Sequence, residues 1–70
     1  MNELYTVKET AKILKVNTAS VYALIKSGKL RALKLGSLKI RRTTLLEFLD
    51  KYDGYDLSDL DDIKILEINK

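Results

Sequence analysis

Ser27-Gly28-Lys29-Leu30-Arg31-Ala32-Leu33-Lys34-Leu35-Gly36-Ser37-Leu38-Lys39-Ile40-Arg41-Arg42 alternates apolar and cationic residues around a central glycine. Gly36-Ser37 predicts a two-residue hairpin loop, because glycine accepts the positive φ that the favoured turns demand at their first central position. Such a loop would set Leu35 opposite Leu38, Lys34 opposite Lys39, Leu33 opposite Ile40 and Ala32 opposite Arg41. Alternation along each strand then sends Leu33, Leu35, Leu38 and Ile40 to a packing face and the cations to the other. Lys34 and Lys39 would confront each other directly. Like charges so placed destabilise a sheet by about 0.2–1 kcal/mol, which points to a polyanionic partner, with phosphate as the natural neutralising group.

The sequence on either side reads as helices. Thr6 with Glu9 matches a capping box, so a helix is expected to open there and to bury Val7, Ala11 and Leu14, with Ile13 beside them. It should stop near Lys15. Val16 supplies an apolar contact in the turn, and Asn17 is a good N-cap for a second helix that carries Val21, Leu24 and Ile25 inward and ends at Gly28. Two short helices so closely joined make a helix-turn-helix unit. Beyond the hairpin, Thr43 or Thr44 is expected to begin a third helix, with Thr44 and Glu47 as a second capping box and Leu45, Phe48, Leu49 and Tyr52 as its inward stripe.

At about 100° per residue, an inward Val21, Leu24 and Ile25 leave Ala19, Tyr22, Ala23 and Lys26 facing outward. Asn17, Thr18 and Ser20 occupy the lightly covered first turn. Outward alanines remove bulk and permit close approach to a groove floor, while Asn17, Thr18 and Ser20 can bond to base edges or phosphates. No arginine is present on this helix to make the bidentate guanine contact, so modest sequence specificity follows. Tyr22 has an apolar ring that can cover core and a hydroxyl that can reach a phosphate.

Charge divides the chain at Asp53-Gly54. Residues 1–52 carry eleven Lys and Arg against four acids, +7, whereas residues 53–70 carry two against six, −4. A basic body favours a nucleic-acid or membrane-surface partner. Cysteine and histidine are absent from the sequence, which excludes thiolate zinc sites, disulfides, and histidine or cysteine catalytic constellations. No cofactor or metal motif stands out. Seventy residues bury only about 60% of their unfolded surface, which leaves little room for an enclosed catalytic pocket, and no nucleophile has a base partner. The short apolar runs resemble neither a secretory signal nor a membrane span, so a cytoplasmic, non-enzymatic protein is expected.

Tyr5-Thr6-Val7-Lys8-Glu9-Thr10-Ala11, Val21-Tyr22-Ala23-Leu24-Ile25-Lys26-Ser27-Gly28-Lys29-Leu30, Lys34-Leu35-Gly36 and Ile40-Arg41-Arg42 follow one another at the spacings of a known family. Over residues 4–52 the chain resembles the excisionase-type, MerR-like winged-helix DNA-binding domain. The resemblance implies a small bacterial or phage protein whose second helix enters the major groove of double-stranded DNA. Its hairpin, the wing, would lie against the flanking minor groove or backbone. Carried over by position, Thr18, Ala19, Tyr22 and Lys26 would line the major groove, Gly36, Ser37 and Lys39 would form the wing, and Arg41 and Arg42 would hold phosphates, with Lys34 adding charge. Three positions depart from the pattern. Arg31 stands where proline is common, Ser37 where the wing tip is often arginine, and Leu38 where an aromatic is usual, so charge is lower at the tip and higher at the hairpin base.

The expected fold is therefore α+β: a small winged helix-turn-helix of three helices and a two-stranded β-hairpin wing over residues 1–52, then a short acidic C-terminal extension over residues 53–70. Within that extension Leu57, Leu60 and Ile63 keep a loose helical spacing that Ser58 could cap with Asp61, and residues 63–68 have the β-branched content of a strand. Packing on the domain, with an added strand on the hairpin edge as one form of it, is favoured over self-association, over binding an integrase or other DNA-bound protein, and over electrostatic competition with DNA. An excisionase-like recombination directionality factor and a small transcriptional regulator share this binding chemistry. The alternative from another class is a protein–protein interaction module built on the same scaffold.

Overall fold

The computed structural model describes residues 4–66. Its elements run β1 (Leu4–Thr6), α1 (Val7–Leu14), α2 (Thr18–Lys26), β2 (Leu33–Leu35), β3 (Ser37–Arg41), α3 (Arg42–Lys51), β4 (Tyr55–Asp56) and β5 (Lys64–Ile65). The first helix opens on the expected capping box. Thr6 Oγ1 accepts the Glu9 backbone N–H at 3.1 Å, and the Thr6 N–H donates to Glu9 Oε1 at 2.9 Å. Thr10, fully buried, donates its hydroxyl to the Thr6 carbonyl at 2.9 Å. α1 ends at Lys15, which takes the left-handed conformation at φ 60°. The Val16 N–H then reaches back to the Ala11 carbonyl, closing a Schellman turn that throws the chain into α2.

Asn17 caps α2 as expected, its Oδ1 accepting the Ser20 N–H at 2.8 Å. Gly28, at φ 83°, closes the other end in the same manner, with the Lys29 N–H bonding to the Leu24 carbonyl. Val21 and Leu24 face inward and are buried. They join Val7, Ala11, Leu30, Ile40, Leu45 and Phe48 in one core.

The sheet is larger than a hairpin. β1 pairs antiparallel with β3, giving the order β1-β3-β2 and setting Tyr5 opposite Ile40. Three residues are too few for alternation to announce a strand, which is why Leu4–Thr6 is silent in the sequence. The hairpin register also differs from expectation. Leu35 pairs with Ser37, Lys34 with Leu38 and Leu33 with Lys39, so Gly36 alone, at φ 76°, reverses the chain and Ser37 belongs to β3.

The slip has a physical cause. β3 is the central strand and its inward residues Ile40 and Leu38 pack in the core, whereas β2 is a short edge strand whose alternate residues the core does not hold firmly. Leu33 and Leu35 move to the outer face with Lys39 and Arg41, and Leu35 is left 61% exposed. Lys34 and Lys39 lie on opposite faces, so the repulsion inferred between them does not exist.

Two further expectations need correction. α3 begins at Arg42, directly out of β3, with Arg41 in extended conformation as N-cap and no side-chain cap hydrogen bond, so Thr44 and Glu47 form no capping box. Leu45 and Phe48 are buried, but Leu49 is 42% exposed, because the thin core accepts only a narrow stripe of this helix. The acidic extension contains no helix among its described residues. Asp56 Oδ1 accepts both the N–H and the hydroxyl of Ser58, at 2.9 and 2.6 Å, and Asp59 Oδ1 accepts the Asp61 N–H at 3.0 Å. These Asx turns take both partners of the expected cap, the Ser58 hydroxyl going to Asp56 and the Asp61 N–H to Asp59.

Among its described residues the extension instead makes a small ladder of its own, β4 against β5, and adds no strand to the main sheet. Residues 67 and 68 of the expected strand lie outside the described residues. Leu57 and Leu60 pack against the core, and an aromatic series from Phe48 through Tyr52 to Tyr55, with centroids 5.2 and 6.2 Å apart, ties α3 to β4.

Candidate nucleic-acid interface

The outer side of α2 is built almost entirely from small or polar groups. Asn17, Thr18, Ala19, Ala23 and Lys26 are exposed, Ser20 is partly covered, and Tyr22 stands out from the helix at 52% exposure. The helix contains no acidic residue, and Lys26 occupies its last turn. With Asn17 Oδ1 already committed to the cap, only the NH2 group of that side chain is left to donate. Ala19 and Ala23 leave a slim cylinder at the centre of this face.

The wing carries the second group of candidates. Lys39 Nζ donates to Ser37 Oγ at 2.6 Å, which draws its ammonium toward the tip beside Gly36. The tip therefore holds a cation although no arginine occupies position 37. Lys34 is exposed on the reverse face of the same ribbon. Arg41 and Arg42 straddle the junction of β3 and α3, both exposed.

One further cation stands beside these candidates. Arg31 and Arg41, with Ala32, Leu33 and Thr44, line a cleft of about 120 Å³ at the base of the hairpin. The first turn of α3 beside it contains no acid. Two arginines and a threonine lining one cleft supply the donor types that bind a phosphate oxygen. The signal for Arg31 was its charge at a position where the family pattern carries proline.

On its other flank α2 borders the acidic extension. Ser20, Ala23 and Leu24 share an apolar groove of about 370 Å³ with Leu14, Val16, Phe48, Leu57, Ser58 and Leu60. Leu57, Ser58 and Leu60 so line one side of the groove, and their chain neighbours Asp56, Asp59, Asp61 and Asp62 are all exposed. Hydrogen bonds from Ser58, by hydroxyl first and backbone N–H second, hold the Asp56 carboxyl below its ordinary pKa. Among the described residues no group of His, Cys, Asp or Glu is placed to bind a metal ion, and no helix is long and apolar enough to cross a membrane.

Two short helices joined by a tight turn, the second free of acid and carrying two exposed alanines, followed by a basic ribbon, define a helix-turn-helix protein. The family model of the helix-turn-helix domain matches residues 4–53, and the chain belongs to that family, whose characteristic partner is DNA. Comparison with curated proteins and with solved structures finds no match.

Proposed function

We propose that this protein binds double-stranded DNA without catalysing a reaction, in the manner of a MerR-like winged helix-turn-helix. α2 enters the major groove, with Thr18, Ala19, Ser20, Tyr22 and Lys26 facing the bases and backbone. The wing, through Lys34, Gly36, Ser37 and Lys39, runs along the adjoining backbone or minor groove. Arg41, Arg42 and Arg31 hold phosphates at the wing base. The reading is carried by one observation above the others: the family match coincides with an α2 whose outward face has two alanines and no acid. The biological role that fits is an excisionase-like recombination directionality factor or a small transcriptional regulator, which share this chemistry.

Titration of labelled duplex DNA against salt tests it. About five phosphate contacts give a log–log slope of affinity near −4 to −5. Replacing Lys39, Arg41 and Arg42 with alanine should cut the slope roughly in half and weaken binding to every duplex alike. Equal binding by the variant and the parent would favour a protein-interaction module on the same scaffold instead.

A further inference from the structure

The exposed wing tip has a feature that phosphate binding does not use. Leu35 is 61% exposed and sits directly beside Gly36, opposite Ser37, on the outer face of the sheet. A single residue makes the turn, and a Cβ built on Gly36 would meet nothing within 4 Å, so the tip is narrow and bare. Across the ribbon from Leu35, the Lys39 ammonium is held to Ser37 at 2.6 Å, and Lys34 is exposed on the reverse face. A leucine at the tip with one cation on its own face and a second on the reverse face matches a surface with anionic walls and an apolar floor. The minor groove is such a surface, phosphates along its rims and stacked bases at its base, and its width of about 6 Å admits a ribbon tip better than a helix.

We infer that Leu35 is a wedge that enters the minor groove and partly unstacks one base step, so that the protein prefers and bends DNA at a flexible pyrimidine–purine step. Apolar side chains of this size act in this way where a protein kinks a duplex from the minor groove. T-A steps unstack most readily and A-tracts resist, so the preference is one of deformability, read without a base-specific hydrogen bond. The inference rests on the DNA-binding reading above and adds the residue and the class of DNA site.

The test uses two duplexes of about 24 base pairs and equal composition, one with central T-A steps carrying 2-aminopurine and one an A-tract. Wild-type protein at low salt is expected to bind the first about tenfold more tightly and to raise 2-aminopurine fluorescence as the step opens. Leu35→Ala should melt at the same temperature and keep the salt slope, while losing both the preference and the fluorescence change. Leu35→Phe should retain them. Equal affinity of the wild type for both duplexes, an unchanged fluorescence signal, or a Leu35→Ala protein indistinguishable from its parent would each overturn the wedge while leaving DNA binding intact. A Leu35→Ala change that alters only self-association in sedimentation would overturn it too, in favour of a contact between copies. Failure of the wild type to bind either duplex would overturn the DNA reading, and the wedge with it.

Discussion

Lys15 sits in the turn between α1 and α2 at φ 60°, a conformation an L side chain adopts at a cost of about 1–2 kcal/mol. Glycine would remove most of that cost, so Lys15→Gly is expected to stabilise the fold by about 0.5–1 kcal/mol in urea unfolding. At the other end of the molecule Asp56 anchors the turn between β4 and β5 by accepting two bonds from Ser58. Its carboxyl is held below the ordinary value, so the native form binds a proton less readily than the unfolded chain. The associated stability is fully present above the ordinary carboxylate pKa and is lost as pH falls through the depressed native one. In an NMR titration the Ser58 amide should therefore stay constant down to the ordinary carboxylate range and move only below it, and Asp56→Asn should abolish that step.

At the scale of the elements, the parts of the fold written in local chemistry could be read directly. Thr6 with Glu9, Asn17 and Gly28 each act within a few residues, and all three appear where the sequence places them. The strand at Leu4–Thr6 could not be read, because its existence depends on β3 lying beside it. The wing register was misjudged for a related reason. Both registers keep Leu38 and Ile40 inward, and the choice between them falls to an edge strand whose side chains the core barely holds.

Of the candidate site, the outward face of α2 was legible from helical phase alone, whereas the nearness of Arg31 to Arg41 required the hairpin base to be seen in three dimensions. The acidic turn was misread because Asp56 and Asp59 compete for backbone donors that a periodicity argument ignores. Gly36 carries the reversal in either register, at positive φ. Since a Cβ there has open space, the cost of Gly36→Ala is purely conformational, about 1 kcal/mol by chemical denaturation, with Gly36→Asn milder.

Across the whole molecule, charge divides into a basic body and an acidic extension, whose Leu57, Ser58 and Leu60 line the groove beside α2. Leu57 and Leu60 pack against the core and fix the acidic loop at that position, so removing the extension would also remove packing. Neutralising it is the cleaner experiment. Asp59, Asp61 and Asp62 changed together to Asn should leave the melting temperature nearly unchanged and tighten duplex binding about three- to tenfold at low salt, with the difference fading as the Debye length shrinks. Unaltered affinity would mean that the acids lie too far from the DNA path to compete. A last consequence comes from Arg41, which is at once the final residue of β3 and the N-cap of α3. No linker residue separates ribbon from helix, and Phe48 on that same helix lines the groove beside α2, so the wing and the groove wall are joined through a single element.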